Sequence, residues 1–413
     1  MIPKINSYKK IIGESAIEKI RSKAESLQDK RVVHINATSI GGGVAEILNT
    51  LVFLLNDIGI DTEWRTLLGS HSFFKITKGI HNALQGDIFW RLSESRKKIY
   101  LEYAERNARI NHLRGHDIVV IHDPQPLGMI AYYKKKAKWL WRCHIDLSSP
   151  NPQTMDFLLP YIRQFDGIII SSKKFKIDRV NMPQFSIPPS IDPLSPKNQK
   201  LNSINSKRLL SKHGIDIRKP ILSQVSRFDP WKDHIGVIRM YQKIREKHDC
   251  QLVLMGDMAG DDPEGPIIYH QIKKYSEQIP GITIITEKND LLVNALQEES
   301  QVVFQNSIRE GFALTVSESM WKRTPVIGTD VGGIPLQIKD GITGFIMRNR
   351  EEGVKQAIKL LENDKLRTLI GAQAHEHVKN NFLITRQLQD YLDVFNAYYP
   401  SPQYKNLKQY LYY

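Results

Sequence analysis

The stretch Arg31–Asp57, RVVHINATSIGGGVAEILNTLVFLLND, decides the fold. Arg31 to Ala37 is a short run rich in β-branched residues, the pattern of a buried strand. Ser39-Ile40-Gly41-Gly42-Gly43 follows it as a turn. Val44 to Asp57 then places apolar residues at helical spacing, and Gly59 is a natural stop. Strand, glycine loop and helix in that order form the opening unit of a doubly wound α/β domain.

Working outward, the same grammar recurs. Thr62 to Leu67, Asp117 to His122 (DIVVIH), Trp139 to Ile145 (WLWRCHI) and Gly167 to Ser172 (GIIISS) are further strand-like runs. Runs this apolar suit a parallel sheet covered on both faces. Then Pro188, Pro189, Pro193 and Pro196 fall within nine positions in IPPSIDPLSP. So dense a cluster cannot continue a helix or sit inside a sheet, and it reads as an interdomain linker.

Beyond it the grammar restarts. The strands are Pro220 to Ser226, Gln251 to Gly256, Ile282 to Thr286, Gln301 to Gln305 and Pro325 to Gly328. His234 to Lys247 and Ala313 to Lys322 read as helices between them. Two Rossmann-like domains are expected, residues 1–190 and 191–384, facing a central cleft into which the strands' carboxyl ends open. A last helix within about 385–413, seen as Thr385 to Tyr398, is expected to cross back to the first domain.

Composition narrows the class. The chain has 413 residues, 41% hydrophobic and 25% charged, as folded domains do. That excludes a disordered tail and a disulfide-built miniprotein. Cys143 and Cys250 are the two cysteines and form no Cys-x-x-Cys pair. No apolar run approaches the ~20 residues of a membrane helix, and Met1 to Lys10 lacks the apolar segment of a secretory signal. A cytoplasmic protein is therefore expected. Lys+Arg outnumber Asp+Glu by 58 to 44, a net charge of +14 that favours an anionic partner. The basic residues are scattered and make no nucleic-acid module, so no nucleic acid is expected.

Several stretches could carry chemistry. In SIREGFALTVSESMW, Glu310 and Glu318 are eight residues apart, and Gly311 allows a tight turn before a helix. The amides of Phe312, Ala313 and Leu314 would lie at the helix start, where phosphates and polarised hydroxyls are attracted. A first-turn acid and a surface acid would give the same spacing. In Ser226-Arg227-Phe228-Asp229-Pro230-Trp231-Lys232, two cations follow a strand and can neutralise a diphosphate, Arg227 as a fork and Lys232 as a point charge. Gly41 to Gly43 let a ligand approach the backbone, yet match neither the dinucleotide fingerprint nor the Walker loop. His144 and Asp146 end a strand beside Cys143 and Arg142, with too few ligands for zinc. Asp123-Pro-Gln-Pro is a similar strand-end loop. Asp261-Asp262 within GDMAGDDPEG reads as a polar loop rather than a metal site. Tyr132 to Trp141, YYKKKAKWLW, mixes lysines with aromatics as an interfacial segment does; a solvated face before a buried strand explains it better.

Taken together, Gly41 to Gly43, Arg227 with Lys232, and Glu310 with Glu318 resemble the retaining GT-B glycosyltransferases, the group of sucrose and glycogen synthases. WLWRCHIDLSSPN, PPSIDPLS, QVSRFDPWK, DDPEG and SIREGF are closer still to the trehalose glycosyltransferring synthases of archaea and some thermophilic bacteria. Trehalose phosphorylases share much of this pattern.

The resemblance implies transfer of glucose from a nucleoside diphosphate to the anomeric hydroxyl of free glucose, giving α,α-trehalose and possibly running in reverse. It implies that Arg227 and Lys232 bind the diphosphate and stabilise the leaving group. Glu310 would hold the donor glucose, helped by the amides of Gly311, Phe312, Ala313 and Leu314. Glu318 would bind the ribose, and Gly42 and Gly43 would lie against the diphosphate or sugar. His144 would sit near the anomeric carbon, with Asp146 on the acceptor side. No cofactor and no metal are expected, the nucleotide sugar being a substrate. Two alternatives stay open: a phosphorylase using inorganic phosphate, and a membrane-surface transferase with a lipid acceptor. No stable membrane association is expected, and a homodimer is left open.

Overall fold

A computed structural model describes residues 2–256 and 265–400. Its backbone divides into two compact units. The first comprises Met1–Ser190 and Ile384–Tyr413, the second Ile191–Leu383. The Asp261-Asp262 loop lies outside the described residues.

The first unit holds six parallel strands: β1 (Arg31–Asn36), β2 (Asp61–Thr66), β3 (Ile118–His122), β4 (Lys138–Cys143), β5 (Gly167–Ile170) and β6 (Gln184–Ser186), in the order β2-β1-β3-β4-β5-β6. The second holds β7 (Ile221–Val225), β8 (Gln251–Met255), β9 (Ile282–Ile285), β10 (Val302–Gln305), β11 (Val326–Thr329) and β12 (Phe345–Met347), ordered β12-β11-β10-β7-β8-β9. Every strand pair is parallel. In both units the order reverses beside the first strand. Such a switch point leaves a crevice at the strands' carboxyl ends.

Side chains alternate across each sheet, so each strand feeds two layers. In β4, Trp139, Trp141 and Cys143 join one apolar layer with Val119, Ile121, Phe73 and Tyr100. Arg142 points to the other face and is fully buried there. That face is covered in part by the helix Ile384–Tyr398, which buries Leu388, Tyr391, Leu392 and Phe395 in the first unit. Polar ties hold the helix there: Lys23 Nζ to Asp393 Oδ2 at 2.6 Å, Asn396 Nδ2 to the Lys23 carbonyl at 2.8 Å, and Arg386 Nη2 to the Pro188 carbonyl at 2.7 Å.

Helices His71–Leu84 and Glu94–Asn111 fall between the expected strands; the first is amphipathic, burying Phe73, Ile76, Ile80, Ala83 and Leu84. The segment Leu127–Tyr132 is a 3-10 turn, and the lysines after it precede β4 on the surface. Among the described residues no helix is long and apolar enough to cross a membrane.

Candidate active site

In the second unit, β7 and β10 are neighbours, so the loops leaving their carboxyl ends meet. Hydrogen bonds stitch them together. Gln224 spans the pair, donating Nε2 to the Lys232 carbonyl at 2.9 Å and accepting the Asn306 amide at 3.0 Å. The Ile308 amide donates to the Trp231 carbonyl at 2.7 Å. Asp229 caps the Pro230–Lys232 turn by accepting the Trp231 amide at 2.9 Å.

This stitching brings Lys232 Nζ onto Glu310 Oε2. The same oxygen accepts from Ser307 Oγ at 3.1 Å and Gln305 Nε2 at 3.3 Å. Three donors therefore hold one carboxylate oxygen, and among the described residues Oε1 accepts no hydrogen bond. Glu310 is only 8% exposed, so its charge depends on these partners. Arg227 sits on the same loop with its side chain 42% exposed, Nη2 3.6 Å from Asp229 Oδ2. The loop thus presents a nearly buried cation engaged with a carboxylate and a partly exposed guanidinium.

The helix after Glu310 runs Leu314–Trp321, and Ala313 caps it in a left-handed conformation, φ 67°. It starts one residue later than the sequence pattern suggests, because Gly311 to Ala313 form an irregular connection. Two glycines of the loop after β11 make that connection possible. A Cβ on Gly332 would stand 1.6 Å from the Glu310 carbonyl oxygen, and one on Gly333 2.5 Å from that of Gly311. Phe312 contributes backbone only; its ring is buried against Phe382.

Glu318 departs from the sequence reading. It is 1% exposed, not on an open wall, accepting from Gln297 Nε2 at 3.1 Å and lying 3.6 Å from Lys197 Nζ. The eight-residue spacing turns it toward the neighbouring helix Asp290–Glu299 and the proline-rich segment.

In the first unit, Gly41 and Gly42 both adopt positive φ, 81° and 76°, with nothing within 4 Å of an added Cβ. The glycines are required by backbone conformation, and open space surrounds them; helix Gly42–Asp57 starts there, with Gly43 in its first turn. His144 follows β4. Its amide donates to Asp123 Oδ1 at 2.7 Å, and Asp123 is itself left-handed, φ 62°. Burial raises the Asp123 carboxyl to about 7. Asp146 is buried and accepts the Ser148 amide at 2.9 Å, which makes it first a turn-former.

Sequence reasoning missed the partners. Gln305 and Ser307 carry no motif, though both precede Glu310 by five residues or fewer. His34 and His122 read only as strand residues; His122, like His144, stands at the carboxyl end of its strand, whereas His34 lies mid-strand and carries no local signal.

Comparison with known proteins now adds to this geometry. Residues 34–177 match the family model for the trehalose synthase N-terminal domain, and residues 205–377 that for group 1 glycosyl transferases. The chain is 45% identical over 400 residues to the trehalose synthase of Thermococcus litoralis, covering 96% of this chain and 97% of that one. The chain belongs to the trehalose synthase family. The chain is 28% identical over 432 residues to the trehalose phosphorylase of Grifola frondosa, covering 92% of this chain and 59% of that one. The GT-B fold of the family is evident in the sucrose-phosphate synthase structure from Thermosynechococcus elongatus, TM-score 0.69 at 15% identity, covering 89% of this chain and all of that one.

Proposed function

We propose that this member of the trehalose synthase family is a retaining glucosyltransferase that makes α,α-trehalose from a nucleoside diphosphate glucose and free glucose. The observation that carries the reading is the Lys232–Glu310 contact with Arg227 on the same loop. Lys232 and Arg227 neutralise the diphosphate and stabilise it as it leaves, where negative charge develops. Glu310, held through one oxygen, offers the other to a hydroxyl of the donor glucose. The amides from Gly311 to Leu314 face the same ligand. The resemblance gives Glu318 the ribose hydroxyls, and reaching them requires it to leave both Gln297 and Lys197. Gly42 and Gly43 keep the backbone open to a ligand, and His144 hydrogen-bonds the sugar, with Asp146 a weaker acceptor-side group.

The bond from the anomeric carbon to the phosphate oxygen breaks, and a bond to the acceptor's anomeric oxygen forms on the same face. The departing phosphate takes the acceptor's proton. A covalent glycosyl-enzyme would need a carboxylate on the opposite face of the sugar, and no residue is assigned there. Cationic side chains offset the diphosphate charge that a metal would otherwise offset, so no metal is assigned to the reaction.

Product analysis with several nucleoside diphosphate glucoses and free glucose, with and without chelator, tests this. The expected product is trehalose, at an unchanged rate in chelator. Trehalose formed from glucose 1-phosphate with no nucleotide requirement would instead favour a phosphorylase. No disaccharide from any donor would overturn the reading.

A further inference from the structure

Three histidines form a hydrogen-bonded chain across the first unit's sheet. His34 Nδ1 lies 3.0 Å from His122 Nε2, and His122 Nδ1 lies 3.1 Å from His144 Nε2. Strand register explains the chain. His34 pairs with Val120 across β1 and β3, and His122 with Arg142 across β3 and β4. Each next histidine stands two residues further along the next strand, so all three share one face and step toward the carboxyl ends. The contacts run ring to ring. Among the described residues no three such side chains gather as a metal site.

Burial keeps the rings neutral. It depresses His34 to about 3 and holds His122 and His144 well below the ordinary histidine value, with the buried Arg142 cation adding to the effect on the last two. A neutral imidazole carries one N–H, so two contacts in series leave two consistent arrangements. Either every proton sits on Nδ1 or every proton sits on Nε2. The inner end decides between them. His34 Nε2 is fully buried and makes no hydrogen bond among the described residues, and its ring abuts Tyr391 at 5.7 Å. With protons on Nε2, that atom would be a buried donor left unmade. With protons on Nδ1, it is only a lone pair, and buried unpaired acceptors are better tolerated than buried unpaired N–H groups.

We propose that His34 and His122 are positioning residues that lock His144 in its Nδ1–H tautomer, so that His144 meets the sugar as a hydrogen-bond donor and not as a base. The role at the sugar rests on the function proposed above; the tautomer does not. A donor at His144 agrees with a reaction in which the leaving phosphate takes the acceptor's proton.

Long-range nitrogen–proton NMR of the full chain labelled at histidine nitrogen reads the tautomer near neutral pH. His144 is assigned by the signals lost in His144→Asn. The expected result is a protonated Nδ1 and an unprotonated Nε2 on His144, and loss of that preference in His122→Leu. A protonated Nε2 in the unsubstituted protein, which needs no variant to fold, overturns the proposal. So does an unchanged tautomer in a folded His122→Leu.

Kinetics give the second readout. His144→Asn keeps an amide N–H near the Nδ1 position and is expected within about tenfold of the unsubstituted kcat, whereas His144→Ala loses about 100-fold or more. Equal losses in the two variants would also overturn the proposal. A protein that makes no disaccharide, yet shows the Nδ1–H tautomer, would sink the function and leave the lock standing.

Discussion

At the residue scale, Arg227 and Lys232 carry similar charge in different surroundings, and their substitution should separate stability from chemistry. Lys232 and Glu310 are nearly buried, with side chains 14% and 10% exposed. Lys232→Ala leaves the Glu310 carboxylate without its cation, and removing one partner of a buried pair costs about 3–5 kcal/mol. Denaturant unfolding should show that loss. Arg227 is 42% exposed, but the Asp229 carboxylate it faces is buried. Arg227→Ala should therefore cost less stability than Lys232→Ala, while kcat/KM falls about 100-fold or more. Near-normal turnover in that variant would remove the diphosphate role. The cations and acids at these positions were visible in the sequence. The single-oxygen grip on Glu310 was not, because it joins residues from two strand ends that lie 78 positions apart.

At the element scale, the site is built by loops crossing at glycines. Gly332 adopts φ 54° and lies against the Glu310 backbone. Gly332→Ala would need both a left-handed alanine and a carbonyl displaced by more than an ångström. A loss of about 2 kcal/mol or more in unfolding free energy is expected, together with a fall in kcat. Gly42→Ala meets the same backbone penalty but no neighbouring atom, so about 1–2 kcal/mol is expected. Comparable unfolding curves for the two variants would show that the crossing is not tight. The same crossing explains why the strands were readable and the connection Gly311 to Ala313 was not. A strand announces itself by apolar residues in succession, whereas an irregular turn is shaped by what presses on it from another loop.

At the scale of the whole molecule, the buried histidines make the first unit acid-sensitive. In the unfolded chain they protonate near 6.5; in the folded unit they stay neutral far below that, to about 3 for His34. Between those values the unfolded state binds more protons. The stabilisation present above pH ~6.5 is lost as pH falls, by about 1.4 kcal/mol per pH unit for each ring. Asp123 opposes this. Its folded value of about 7 lies above the ordinary 3.8, so its contribution is largest at low pH and fades as pH rises toward 7. Asp390, raised by burial, opposes it too, whereas burial lowers His234 of the second unit to about 4 and adds to it; these buried histidines outnumber the two aspartates, and stability should rise with pH between about 4.5 and 6. His34→Leu should flatten the slope of unfolding free energy against pH by about 1.4 kcal/mol per unit. An unchanged slope would mean that His34 is charged in the folded protein.

The residue order alone was enough for the α/β class with its parallel strands, and for the residue types at the strand ends. These are local signals: apolar runs, glycines and prolines act on the backbone within a few positions. The partners of each functional group were settled only by the packed chain. Glu310 meets Lys232 because β7 and β10 are neighbours, Glu318 is buried because its helix faces Asp290–Glu299, and three histidines touch because register steps them across one sheet face. Strand order and register arise from long-range burial. No short window of sequence contains both sides of such a contact, and so none could announce it.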